Sequence, residues 1–115
     1  MDSILTSIKK LLGIAEEYTQ FDPDLIIHIN SVFLILTQLG VGPKEGFVIE
    51  DKTNEWFEFI EDPTQLQAVK TYMQLKVKLL FDPPLSSSVI ESMNRMIAEL
   101  EWRIRLAAEE LEGEA

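Results

Sequence analysis

The sequence contains no cysteine and one histidine. Without cysteine there is no disulfide framework and no thiolate metal site, so a reducing compartment such as the cytoplasm is the simplest expected address. His28 has no second histidine or cysteine with which to build a common zinc site, and a structural or surface role is expected for it. Basic residues are scarce: 10 lysines and arginines face 20 acidic groups, for a formal charge of −10. Such a surface repels phosphate, which disfavours wrapping of nucleic acid. Long apolar runs are also missing. The most apolar stretch, Leu25 to Leu39, spans about 15 residues and holds His28, Asn30, Ser31, Thr37 and Gln38, too short and too polar to cross a bilayer. The N-terminal MDSILTSIKKLLG shows no continuous apolar stretch before a small-residue cleavage site, and no signal peptide is expected.

Catalytic patterns are equally sparse. Ser86, Ser87 and Ser88 have no Gly-x-Ser-x-Gly turn around them and suit helix capping. Gly40 and Gly42 lack the Gly-Lys-Ser/Thr ending of a phosphate-binding loop and read as a helix stop and a turn. No catalytic residue, cofactor or metal is expected.

What is present is helical periodicity. Apolar residues make up 46% and charged residues 26% of 115, the composition of one globular domain with one core. A first helix is predicted from Asp2 or Ser3 to Leu12, with Ile4, Leu5, Ile8, Leu11 and Leu12 on one side and Gly13 ending it. Asp22-Pro23-Asp24 supplies a capping acid and a proline at the first helical position. The helix that follows, to Leu39, carries Leu25, Ile26, Ile29, Val32, Phe33, Leu36 and Leu39. Ile27, Leu34 and Ile35 extend its apolar surface most of the way round, which predicts a central position. Residues 40–53 read as an irregular loop with room for a short extended piece at Phe47 to Ile49.

Asn54 to Ile60 predicts a short helix presenting Trp56, Phe57 and Ile60, and Asp62-Pro63 repeats the acid-proline start. From Pro63 to Phe81 the stripe is Leu66, Val69, Tyr72, Met73, Val77 and Leu80, flanked by Ala68, Leu75 and Leu79. Phe81, Asp82, Pro83 and Pro84 then form a rigid corner, expected to be buried between two apolar helices. Ser88 to Glu91 fits a capping box, with Ser86 and Ser87 as alternative caps. The last helix is expected to reach about Leu111, with a loose acidic tail from about 112. Its stripe is Val89, Met93, Met96, Ile97, Leu100, Ile104, Ala107 and Leu111, and Glu99 with Arg103 and Glu101 with Arg105 are pairs one turn apart. The fold class is all-α, a bundle of about four to five helices in one domain over 1–115.

Two features go beyond packing. Trp102 and Leu106 lie about 200° around the last helix from Ile104 and Ala108, so with Ala98 they form a second apolar strip. That strip is either exposed, packed under a loop or buried by another subunit. Between Glu45 and Asp62, seven acids (Glu45, Glu50, Asp51, Glu55, Glu58, Glu61, Asp62) face one lysine, Lys52. They serve as a solvated face or as a surface that repels passing DNA. Lys70, Lys76, Lys78 and Arg95 read mainly as solvating groups, with contact to an acidic neighbouring subunit as the alternative.

Taken in order, FDPDLIIHINSVFLILTQLGVGP, Trp56-Phe57, VKTYMQLKVKLLFDPPLSS and ELEWRIR resemble the head-tail connector, or adaptor, proteins of long-tailed bacteriophages and prophages. The resemblance implies a helical virion protein without enzymatic activity. Such a protein binds beneath the portal as a ring of about a dozen copies and extends the DNA channel toward the tail. Its implied partners are the portal, its own copies and a head-closure, stopper or tail protein; DNA passes without specific binding, and no membrane is involved. Ala98, Trp102, Leu106, Arg103 and Arg105 are then candidates for a subunit or portal interface. Glu50, Asp51, Glu55 and Glu58 are candidates for the channel surface. The alternative is a small acidic phage-encoded regulator that binds and inhibits a host or phage protein. A DNA-packaging subunit is disfavoured by the charge.

Overall fold

The computed structural model describes residues 3–114, with side chains described for 3–110. Helix α1 spans Ile4–Leu11, α2 Asp22–Gln38, α3 Trp56–Phe59, α4 Pro63–Phe81 and α5 Ser87–Glu114. No strand forms among the described residues. The one bridge pairs Ser3 with Glu55, and Phe47 to Ile49 are loop.

Each helix start has a local cause. The Ser3 side chain accepts from Thr6 N–H at 3.2 Å and caps α1. Asp62 caps α4 by accepting from Thr64 N–H at 2.9 Å, with Pro63 behind it. The expected cap of α2 is different: Phe21 is the N-cap and Asp22 is the first helical residue. The Asp22 carboxylate turns instead to Lys9, whose Nζ lies 2.9 Å from its Oδ1. Lys9 is buried, and its ammonium also donates to the carbonyls of Glu16 and Tyr18 at 2.8 and 2.7 Å. One cation thus folds the α1–α2 connection around itself, which offsets the cost of burying the charge. α5 is capped by Ser86, whose Oγ accepts from Val89 N–H at 3.4 Å, rather than by Ser88.

The core joins α1, α2 and α4 through Ile4, Leu5, Ile8, Leu25, Ile29, Phe33, Leu36, Val69, Met73 and Val77. Each such side chain contributes about 1.5–3 kcal/mol when fully buried. Phe33 is the hub of an aromatic cluster, with ring centroids 4.7 Å from Phe59, 5.0 Å from Phe47 and 6.3 Å from Trp56. Within four-residue α3 the buried pair is Trp56 and Phe59; Phe57, expected on the same face as Trp56, is exposed, while Ile60 is half-buried against the core. Trp56 Nε1 donates to Ser7 Oγ at 2.7 Å, which fixes the ring against α1.

The long loop between α2 and α3 is held by one side chain. Asn30 Oδ1 accepts from Ile49 N–H at 2.8 Å while Nδ2 donates to the Ile49 carbonyl at 3.1 Å, so the amide pairs with backbone as a strand would. Gly42 is obligatory in the same loop. Its φ is +82°, and a Cβ there would lie 2.3 Å from Cε1 of the Phe59 ring, a clash.

α4 runs between α2 and α5. Buried Tyr72 donates its hydroxyl to Glu101 Oε2 at 2.6 Å, and buried Gln65 donates to the Ile104 carbonyl at 3.4 Å. Several expectations of burial fail. Leu80 is exposed, as are Ile27 and Leu34 on α2, because no helix packs on those sides. The corner is a surface feature: Asp82 and Pro83 are exposed, Phe81 and Pro84 half-buried, and Leu85 stands free at 105% relative exposure. Lys78 closes the end of α4 with a 2.8 Å ion pair to Asp82. Among the described side chains of α5 only Ile97 and Ile104 are buried, and Leu111 of the expected stripe lies outside them. Val89 and Met96 are exposed, since near the corner α4 is the one wall beside them, whereas at Ala108 the Gly40 turn adds a second. The α5 backbone continues past Leu111 to Glu114; the side chains of the expected acidic tail, Glu112 and Glu114, lie outside those described.

Burial, reinforced by the hydrogen bond to Glu101, pushes the Tyr72 phenol well above its ordinary value. A raised folded-state value favours the protonated fold, so this contribution is complete below about pH 10 and is lost as pH rises beyond it. Tyr72→Phe is expected to cost about 1.5–3 kcal/mol at pH 7 by removing a hydrogen bond to a charged acceptor. The wild type should lose that advantage over Tyr72→Phe above pH 10, as read from paired urea unfolding curves.

Candidate functional site

The outer face of α5 carries the second apolar strip. Successive residues advance 100°, so Ile97 and Ile104 share the face toward α4 while Ala98, Trp102 and Leu106 share the opposite one. All three are exposed; Trp102 retains 58% of its surface and Leu106 39%. Trp102 is therefore not buried within the subunit. Arg103 and Arg105 are exposed beside them, and Arg103 Nη2 meets Glu99 Oε1 at 3.2 Å. Arg95, Arg103 and Arg105 are all the arginines of the chain, and all three lie on α5.

The acidic surface is assembled from the loop and α3. Glu50, Asp51 and Glu58 are exposed and Glu55 is half-buried. Several of these groups have local work. Asp51 Oδ1 accepts from the Thr53 hydroxyl and from Thr53 N–H, and these bonds hold its carboxyl below the usual range. Glu58 Oε2 accepts from Glu55 N–H at 2.6 Å, which ties the first turn of α3. Glu55 pairs with Ser3 through the backbone, and Ile4 N–H donates to the Asn54 carbonyl at 2.9 Å. The four carboxylates therefore share a region, but Glu58 and Asp51 are there partly for shape.

His28 is half-buried with its ring 6.4 Å from that of Phe81. Among the described residues no group of three His, Cys, Asp or Glu is arranged to hold a metal ion, and no helix is long and apolar enough to cross a membrane.

Compared with protein families, residues 4–111 match the model for phage connector proteins. The chain belongs to that family. Its role is a structural one at the phage head-tail junction, and the connector is in that sense a virion component. No curated protein and no solved structure matches the chain. Two motifs that carried the resemblance have structural explanations in the connector: Asn30 clamps Ile49, and Gly42 admits the Phe59 ring. The polar residues Lys9 and Gln65 were missed in the sequence, because a lysine or glutamine at a helical surface position carries no local sign that it is buried.

Because Trp102 is exposed and makes no hydrogen bond or ring contact in the core, Trp102→Ala is expected to change the stability of the isolated subunit by no more than about 0.5 kcal/mol. Ile104→Ala, one helical half-turn away, should cost about 2–5 kcal/mol. Thermal unfolding of the two isolated variants checks the contrast.

Proposed function

We propose that this connector binds the portal at the capsid vertex as one subunit of a ring and extends the DNA channel toward the tail. A ring is built from heterologous contacts, each copy offering one face to the neighbour ahead and a different one to the neighbour behind. The observation that supports this reading is the uncovered strip of Ala98, Trp102 and Leu106 on a helix already packed on its other side. A subunit that folds without this strip has it available for assembly. Arg103 and Arg105 flank it and supply polar complementarity to the portal or to the next copy.

The acidic surface gives the second half of the reading. Glu50, Asp51, Glu55 and Glu58 facing the bore repel phosphate, so DNA passes without adhering, the reverse of the counterion release that drives DNA binding. A head-closure or tail protein then seats on the far rim.

Electron microscopy of the purified connector with its cognate portal tests the proposal. Added density in many copies at the portal's tail-facing end is the expected result; a small defined complex with some other protein, and a bare portal, would instead support an inhibitor. For the channel, Glu50→Gln with Asp51→Asn is the informative variant, since both amides keep an acceptor oxygen and Glu58 is left to cap α3. Particles are expected to assemble normally but to lose DNA delivery, seen as a reduced titre per particle; an unchanged titre would remove the channel role.

A further inference from the structure

The outer strip of α5 sits at the centre of an ordered charge pattern. Trp102 is flanked by Ala98 one turn before it and Leu106 one turn after it, and all three are exposed. Outward from Trp102, each charge on one side has its opposite at the same distance on the other: Glu101 and Arg103, Glu99 and Arg105, Arg95 and Glu109. Arg95 and Glu109 are exposed and fall on the Trp102 face, since each lies two helical turns from it. The seven glutamates of α5 outnumber its three arginines, but four of them, Glu91, Glu110, Glu112 and Glu114, lie outside this span. From Arg95 to Glu109 the helix is electrically neutral.

We infer that two copies of the free connector pair through this face, α5 antiparallel to α5, with the two Trp102 side chains meeting at the two-fold axis. The order of charges selects a second copy as the occupant. In an antiparallel pair centred on Trp102, each residue stands level with the one equally far on the other side, so every charge in the span is level with its opposite and small Ala98 leaves room for Leu106. A parallel pair would set each charge beside itself. Two of the level pairs are within reach of one another or of a neighbour. Arg95 and Glu109 both lie near the middle of the face. Each edge of an antiparallel pair meets the same edge of its copy, and Arg103 and Glu99 share one edge, where they are 3.2 Å apart. The second copy therefore continues that ion pair across the axis rather than breaking it. Glu101 is turned to Tyr72 and stays out of the contact. A contact between identical patches closes on itself and cannot propagate into a ring. The dimer thus covers Trp102 while the connector is unassembled and opens at the portal, a consequence that rests on the ring reading. With one aromatic anchor per chain on a single helix face, it is a small contact of the transient kind, weak enough to open.

Sedimentation of the isolated connector over a series of concentrations tests the pairing, and a reversible monomer-dimer equilibrium is the expected result. Trp102→Ala, whose fold is checked by circular dichroism, should weaken the dimer about 30-fold, the loss typical of a central anchor. Arg95→Glu and Glu109→Arg should each weaken it, and the two together, which restore both cross-axis pairs, should recover it. A connector that stays monomeric throughout, a dimer indifferent to Trp102→Ala, or a double variant without recovery overturns the pairing. The absence of native cysteine allows the dimer to be locked, by oxidising a chain that carries Arg95→Cys and Glu109→Cys. The locked dimer should leave the portal bare and the reduced protein should decorate it. Decoration by the locked dimer overturns the masking of Trp102. A portal left bare by the wild type as well overturns the ring reading and leaves the dimer standing.

Discussion

The connector depends on α4 being shared. Its Tyr72 and Gln65 turn to α5, while Val69, Met73 and Val77 enter the core with α1 and α2. A helix with neighbours on two sides is buried over a wide arc, whereas α5 is covered mainly on the side toward α4. α5 has 28 residues, about 42 Å of helix, against 19 residues and about 28 Å for α4. A long helix held by a shorter one cannot hide a two-sided apolar pattern. The exposure of Trp102, Leu106, Val89 and Met96 thus follows from the architecture.

Buried polar groups do the positioning that a larger core would otherwise do. Lys9 gathers two carbonyls and a carboxylate, Asn30 reproduces a strand pair with Ile49, and Ser7 receives the indole N–H of Trp56. Each is satisfied, so each favours one arrangement of a loop over its alternatives at little net cost. The loop between α2 and α3 gains most. It carries Glu50 and Asp51 on one side and Val48 on the other, and without the Asn30 clamp and the Phe33 cluster those groups would have no fixed relation to α2.

Much of the helical skeleton was legible in the sequence, since proline and acid at the starts of α2 and α4, glycine after α1 and α2, and 3.6-residue periodicity are local signals. The errors have a common physical origin. Periodicity reports how much apolar surface a helix owns, not how many neighbours it has, and so Ile27, Leu34 and Leu80 were expected inside and lie outside. Asp22 followed a capping rule that a distant lysine overrode. In α3, too short for periodicity to mean much, Phe59 took the place expected for Phe57. Tyr72 with Glu101 and Gln65 with Ile104 join residues 29 and 39 positions apart, and no spacing rule connects them. The outward turn of Trp102 was implied by its angle on α5.

Net charge is a poor guide to whether copies of this protein attract one another. At −10 each, two subunits repel at long range, yet at physiological ionic strength charges more than about 8 Å apart are largely screened. Contact is therefore decided by the groups that meet. The distribution is uneven: arginine lies only on α5, where Arg103 is paired with Glu99 and the helix also carries seven glutamates, while the acids from Glu45 to Asp62 occupy the loop, α3 and the start of α4. Both regions are therefore net acidic, and what brings copies together is the apolar surface that meets and the individual arginine–carboxylate pairs at its edge, not the sum of charge.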